Sequence, residues 1–120
     1  MERPTLHLFR HAREFDSFTA GDQIFAEGQP GDVMYVVHEG DVEVIVNNTV
    51  VEIVGPGGIV GEMALIDKNP RSATAVAKTD CKLVRVDAER FKYLVQQSPY
   101  FALEVMRVMA GRLRHMDKAT

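Results

Sequence analysis

The stretch that decides this fold is GGIVGEMALIDKNPRSAT, residues 57–74. Gly61 lets the backbone come close to a ligand, and residues 62–67 are good helix formers, so a single helical turn would aim free N–H groups at an anion. Arg71 adds a guanidinium fork that matches two phosphate oxygens, and Ser72 adds a hydroxyl donor beside it. The stretch therefore predicts an anion-binding segment.

Glu62 is the unexpected member of this segment, because a carboxylate beside a phosphate is repulsive. A sugar hydroxyl of the ligand would resolve the conflict by donating a hydrogen bond to it. Taken singly, Glu62 gains only a modest interaction with a helix N-terminus, and Arg71 only a surface ion pair of at most about 1 kcal/mol. Taken together, the two residues predict a ligand that carries both a phosphate and a hydroxyl.

The residues around this segment read as short β-type runs separated by glycine turns. The clearest strands are residues 33–38, 42–46 and 50–54, with Asn47-Asn48 as a hairpin turn between the last two. The spacing predicts an antiparallel β-roll or jelly roll over about residues 14–86.

After this region the apolar residues return at helical spacing. Asp87 is a suitable N-cap and Pro99 a suitable first helical residue, so we expect two C-terminal helices, over about residues 87–96 and 98–115. For a chain of 120 residues we expect one domain, spanning residues 1–120. The predicted fold class is mainly β, with a short helix after Gly61 and two C-terminal helices.

Composition excludes several classes of protein. The chain has 14 lysines and arginines and 17 aspartates and glutamates, which gives a net charge of −3. A nucleic-acid-binding protein is usually basic. No apolar run approaches the roughly 20 residues of a membrane helix. The single Cys81 forms no intrachain disulfide and fits a reducing compartment. We therefore expect a cytoplasmic protein that binds neither nucleic acid nor membrane.

An enzyme of the metal-binding jelly-roll type is the main alternative of another class. The four histidines are scattered along the sequence, without the alternate spacing on one strand that would bring two to a metal. A nucleophile motif is missing, and the glycines of residues 55–61 lack the Lys-Ser/Thr of a P-loop. We expect neither catalysis nor a metal site.

Two short motifs carry a resemblance to a known family. They are Gly61-Glu62-Met63-Ala64-Leu65 and Pro70-Arg71-Ser72-Ala73-Thr74. In this order they resemble the phosphate-binding cassette of the cyclic nucleotide-binding domain family, and the likeness covers roughly residues 15–115. Within that family the chain is similar to the ligand-binding domain of bacterial catabolite activator-type regulators. We do not expect their DNA-binding domain within residues 1–120, so that the output stage lies in another molecule or the chain is a fragment.

The resemblance implies a β-roll that holds a cyclic purine nucleotide. Glu62 and the Gly61 backbone would bind the ribose 2′-hydroxyl, and Arg71 the cyclic phosphate. The full set of ligand-binding residues it implies is Gly61, Glu62, Met63, Ala64, Leu65, Arg71, Ser72 and Ala73. Because threonine after the arginine is the family's usual cGMP-favouring residue, Ser72 favours cAMP, with cGMP as the other candidate.

The last helix carries two apolar stripes. One is a heptad seam of Ala102, Met106, Met109, Leu113 and Met116, and the other is Phe101, Val105 and Val108. Either both pack on the roll of the same chain, or the seam pairs with a second copy or with the helix of an effector protein. We expect nucleotide to signal by repositioning these helices. The alternative is an interaction module whose pocket is unused.

Overall fold

The computed structural model of the protein describes Phe9 and residues 12–119, with side chains as far as Arg114. The strands are β1 Asp16–Phe18, β2 Gln23–Phe25, β3 Val33–Glu39, β4 Val42–Val46, β5 Thr49–Val54, β6 Ile59–Val60, β7 Thr74–Ala77 and β8 Cys81–Asp87. The helices are α1 Glu62–Asp67, α2 Ala88–Gln97 and α3 Pro99–Ala119. This order confirms the predicted fold class.

The strands form two four-stranded antiparallel sheets, ordered β1-β8-β3-β6 and β2-β7-β4-β5. Strand β3 is buried on both faces. Its side chains alternate, so that Tyr35 and Val37 pack between the sheets while Met34 and Val36 join the cluster that includes α3 residues. This first sheet therefore separates two apolar cores.

The inter-sheet core consists of Tyr35, Val37, Val42, Val54, Val60, Ala75, Ala77, Cys81 and Leu83. The helix-side core consists of Phe9, Met34, Val36, Ile59, Val84, Val86, Phe101 and Val105. Side chains of α2 and α3 pack against the second group, so the C-terminal helices lie on the first sheet.

The local signals of the strand region are confirmed. Strand β4 has the predicted bounds, β3 runs one residue further, and β5 begins one residue earlier. Asn47 and Asn48 have φ of 50° and 63°, the left-handed pair that a tight two-residue hairpin requires. Short polar side chains tolerate this conformation better than most.

The helix boundaries also follow local chemistry. The Asp87 carboxylate accepts a hydrogen bond from the Arg90 backbone N–H at 2.8 Å, which caps α2. The Ser98 hydroxyl accepts one from the Phe101 N–H at 3.3 Å, and Pro99 is the first residue of α3. Within the described part of the chain, no helix is both long and apolar enough to cross a bilayer.

The structure divides the heptad seam of α3 between two environments, since Met106 and Leu113 are exposed whereas Met109 packs on the roll of the same chain. This residue packs against the helix-side core with Val105 and Val108, because 3.6 residues per turn place position 109 only about 40° from position 105. Met116 lies outside the described side chains. Four exposed apolar residues of α3 form an outer stripe, namely Leu103, Met106, Ala110 and Leu113, spaced by three, four and three residues.

Phe101 holds α3 on the sheet, and its replacement tests this attachment. The side chain is 0% exposed and meets Phe91 edge-on with ring centroids 5.8 Å apart. We expect Phe101→Ala to lower the free energy of unfolding by about 3–5 kcal/mol, because it removes a large buried side chain and leaves a cavity. Urea denaturation measures the change.

The matched control is Tyr100→Ala, the neighbouring aromatic residue on the same helix, which is 70% exposed. Its effect should stay within about 0.5 kcal/mol. Equal effects of the two substitutions would contradict the docking of α3 through Phe101.

Candidate functional site

A cavity of about 610 Å³ lies between β4, β5, α1, the segment after Pro70, and one face of α3. Its lining includes seven of the eight residues singled out from the sequence, namely Gly61, Glu62, Met63, Ala64, Arg71, Ser72 and Ala73. Leu65 is not among the described lining residues, because its side chain packs against the helix-side core. The volume lies in the range of small-molecule sites.

The backbone of Arg71 is held by the loop after β2. The Gly28 N–H donates to the Arg71 carbonyl at 2.8 Å, and the Arg71 N–H donates to the Gln29 carbonyl at 2.8 Å. These two hydrogen bonds join segments more than 40 residues apart in the sequence. Arg71 therefore starts from a fixed backbone position.

The side chain of Arg71 is 6% exposed and is held on three sides. Nη2 donates to the Val33 carbonyl at 2.8 Å, and Nη1 donates to the Gly61 carbonyl at 3.1 Å. The guanidinium carbon lies 4.1 Å from the ring centroid of Phe25, a cation–π contact. The planar group is thereby oriented in advance.

Two glycines leave the room that this guanidinium occupies. A Cβ at Gly31 would overlap Nε and Cζ of Arg71, and a Cβ at Gly61 would overlap Nη1. Gly61 also has φ of +80°, which disfavours any side chain. The close approach explains why glycine is needed at both positions.

Arg71 is a buried cation that pairs with none of the carboxylates the structure describes. Burial lowers the pKa of its guanidinium, while the charges of Tyr35, Asp32 and Glu62 act in the opposite direction. Among the described residues it forms no ion pair, and its buried Nε has no hydrogen-bond partner. Since arginine stays protonated in proteins, the cavity presents a fixed positive charge that favours an anion.

Glu62 is 1% exposed and is paired with an arginine of α3. Nη1 of Arg112 donates to Oε1 of Glu62. The other carboxylate oxygen, Oε2, is buried and has no hydrogen-bond partner among the described residues. An acceptor without a donor in a buried place is costly, so this oxygen is suited to a donor brought by a ligand.

Arg112 makes further contacts that join α3 to both sheets. Its Nε donates to Oε1 of Glu52 on β5 at 3.0 Å, and its Nη2 donates to the Ile59 carbonyl on β6 at 2.8 Å. Burial lowers the pKa of Arg112, but Glu62 and Glu52 more than offset this, so that its pKa is raised. The Arg112 guanidinium therefore carries its full positive charge.

The sequence reasoning missed Arg112, Glu52 and Phe25. For Arg112 a signal was present, because it lies four residues after Val108 and continues the stripe of Phe101 and Val105 that packs on the roll. A charged residue on a buried helix face needs a partner. For Glu52 and Phe25 no local pattern marks the contact, which depends on the packing of distant elements.

The arrangement can hold an anion and a hydroxyl at once, through Arg71 and through Oε2 of Glu62. The remaining wall is largely apolar, with Val44, Val46 and Val51 from the second sheet. In the described part of the chain, no three His, Cys, Asp or Glu side chains converge as metal ligands. These features suit a small organic phosphate that has one flat apolar portion.

Comparison with known proteins agrees with this geometry. Residues 15–98 match the Cyclic nucleotide-binding domain family. The CRP-like cAMP-activated global transcriptional regulator of Mycobacterium tuberculosis is 30% identical over 105 residues, which cover 83% of this chain and 47% of that protein. The chain thus spans about half the length of the curated relative it matches.

Solved structures give the same result. The Catabolite Activator Protein of Thermus thermophilus superposes with a TM-score of 0.78 at 29% identity, covering 96% of this chain and 56% of that one. The EAL enzyme Bd1971 matches at 31% identity in its cAMP-bound form, with a TM-score of 0.65 over 88% of this chain and 29% of that one. Its cGMP-bound form matches at 31% identity with a TM-score of 0.66 over 88% and 30%. The chain belongs to the cyclic nucleotide-binding domain family.

Proposed function

We propose that this protein binds a cyclic purine nucleotide, cAMP in preference to cGMP, as a small cytoplasmic sensor or regulatory domain. The observation that carries the proposal is the placement of Arg71 and Glu62 on one cavity, each buried and each with an unused polar atom. A cyclic nucleotide supplies one negative phosphate and one free ribose hydroxyl, which match these two groups.

The ligand would lie with its phosphate at Arg71 and its ribose at Glu62. The Ser72 hydroxyl, which makes only a weak contact of 3.8 Å with the Met63 sulfur, would add a donor to the phosphate. The base would rest on the apolar wall. Both charged residues of the segment after Gly61 that line the cavity, Glu62 and Arg71, thus contact the ligand in this assignment.

The preference for cAMP is supported by Ser72 and by the cAMP-activated relative. Because Bd1971 matches in both a cAMP-bound and a cGMP-bound form, the fold accommodates either base. The choice between cAMP and cGMP therefore depends on the side chains that line this cavity and not on the fold.

Binding without catalysis is part of the proposal. We assign the polar groups that line the cavity to holding charge and to hydrogen bonding with the ligand, and assign none of them to proton transfer or nucleophilic attack. A signal would pass through α3, because Glu104, Val108 and Gly111 line the cavity together with Arg112. A ligand in the cavity would thus touch the helix directly, and would shift the balance between helix positions.

Replacing Arg71 by lysine tests the phosphate contact. We expect Arg71→Lys to weaken cAMP binding by roughly 30-fold, or about 2 kcal/mol, because one ammonium group does not reproduce a bidentate fork. Lysine keeps the charge. It is preferable to alanine, which would leave the carbonyls of Val33 and Gly61 unpaired.

Isothermal titration with cAMP and then cGMP measures the effect, and Arg85→Lys is the control because Arg85 is exposed and pairs with Asp16. An unchanged affinity of Arg71→Lys for cAMP would contradict the contact between Arg71 and the phosphate. If the wild-type chain bound neither nucleotide, the pocket would be unused and the interaction module would become the better description.

Replacing Glu62 by alanine tests the ribose contact. We expect the wild-type protein to prefer cAMP over 2′-deoxy-cAMP by about tenfold, the value of one hydrogen bond to a charged group. Glu62→Ala should reduce this preference to near unity, whereas Glu89→Ala, in the exposed first turn of α2, should keep it. Competition binding with the two nucleotides gives the ratio, and equal affinities in the wild-type protein would refute the role of Glu62.

The outer stripe of α3 favours a second role, pairing with another copy of the chain. Leu103, Met106 and Leu113 are exposed at heptad-like spacing on the face opposite the helix-side core.

Sedimentation analysis should show a dimer that Met106→Glu dissociates, because a charge in an apolar seam is costly. A wild-type monomer, or a Met106→Glu variant that stays dimeric, would contradict this pairing. Lys92→Glu, on the exposed face of α2, is the control.

A further inference from the structure

Phe25 covers the arginine to which the phosphate is assigned. The guanidinium carbon of Arg71 lies 4.1 Å from the centroid of the Phe25 ring, and Phe25 lines the cavity. The ring also reaches the turn before α1, because a Cβ added at Gly61 would lie 3.3 Å from its Cε2 atom. Since no described carboxylate pairs with Arg71, the electron-rich ring face joins two backbone carbonyls as its close partners.

An aromatic face holds a cation without occupying its hydrogen-bond donors. Arginine has five N–H groups, and two of those in Arg71 donate to the carbonyls of Val33 and Gly61. The other three include the group on the buried Nε, which has no partner among the described residues. A carboxylate in place of the ring would take up such donors, whereas the ring leaves them for a phosphate. Phe25 thus restrains Arg71 and keeps it available to an anion.

The irregular course of β2 directs Phe25 towards Arg71. The register of β2 against β7 shifts between Gln23 and Phe25, and an irregularity of this kind re-aims a side chain. Ile24 and Phe25 accordingly both pack against the inter-sheet core, although neighbouring residues of a regular strand face opposite sides. Tyr35 stacks on the Phe25 ring, with centroids 6.5 Å apart and 14° between the planes. The backbone and the core together determine where the ring lies.

We propose that Phe25 is a positioning residue for the phosphate, because its ring holds the Arg71 guanidinium in the orientation that binds the anion. The inference rests on the proposed function, since that function assigns the phosphate to Arg71. Without the ring, the guanidinium spends part of its time in other orientations. The affinity for the nucleotide then falls in proportion to the fraction of molecules that remain ready to bind.

Packing of the inter-sheet core is the competing explanation for Phe25, which is among the side chains that contact this core. If the residue only filled space, its replacement would lower the free energy of unfolding and would affect binding alike whichever side chain stood at position 71. A positioning role instead acts through the planar guanidinium. The effect of replacing Phe25 therefore depends on an arginine at position 71, which a double-mutant cycle measures.

The experiment measures cAMP binding by isothermal titration to the wild-type chain, Phe25→Leu, Arg71→Lys and the double variant. We expect Phe25→Leu to weaken binding by about fivefold when Arg71 is present. In the Arg71→Lys background it should weaken binding by less than about twofold, because the lysine ammonium is a compact charge that does not stack flat on a ring. Leucine keeps an apolar side chain at position 25, so the core stays filled in large part.

Phe18→Leu is the matched control. Phe18 packs against the same core and meets Tyr35 edge-on, with ring centroids 6.3 Å apart, but it is not among the residues that line the cavity. Urea denaturation should show that the Phe18 and Phe25 replacements both lower the free energy of unfolding. Only the Phe25 replacement should weaken cAMP binding, and Phe18→Leu should stay within about twofold of the wild-type affinity.

Fluorinated phenylalanines placed at position 25 alone supply a second measurement. Each added fluorine withdraws electron density from the ring face and changes the shape of the side chain little, so it weakens the attraction for a cation. We expect cAMP affinity to fall stepwise, by about threefold in total for a ring with three fluorines, at an unchanged free energy of unfolding. This series decides the question if Phe25→Leu fails to fold.

Three results overturn the positioning role of Phe25. These are wild-type affinity in Phe25→Leu, equal weakening by this replacement with arginine and with lysine at position 71, and an affinity that does not change with fluorination. Each of them leaves nucleotide binding through Arg71 in place. If the wild-type chain binds neither cAMP nor cGMP, the proposed function fails, and the inference fails with it.

Discussion

The burial of the Arg71 guanidinium is the constraint on which the rest of the site depends. A cation in this position needs acceptors, and the carbonyls of Val33 and Gly61 supply them while the Phe25 ring covers one face. These residues come from β3, from the turn before α1 and from β2, so the charge joins three separate parts of the roll. Because these three parts hold the guanidinium in place, the cavity has a fixed positive charge at Arg71.

The second charge cluster balances the first and extends the site to the C-terminal helix. Arg112 pairs with Glu62 and Glu52, so a carboxylate of α1 is shared between the roll and α3. Buried ion pairs contribute little net stability compared with apolar packing, because desolvation offsets the attraction. These pairs connect α3 to α1 and to β5, so they contribute to where the helix lies on the roll.

Local signals were sufficient for most of the fold. The Asn47-Asn48 turn, the Asp87 cap and Pro99 each specify their element through chemistry within three or four residues. The spacing of the α3 seam does not say which neighbour covers it, and the structure packs Met109 on the roll while Met106 is exposed. The resemblance implies a ligand contact for Leu65, but its side chain packs against the helix-side core.

The sequence by itself determined the two-sheet roll with its helices and the chemistry of the segment after Gly61, because strand alternation, turns and caps act over short distances. Only the tertiary structure decided that Arg112 and Glu52 meet Glu62, and that Phe25 covers Arg71. These pairs are separated by up to 60 residues. Their contact depends on how two sheets and a helix pack, and no periodicity in the sequence encodes a distance between elements.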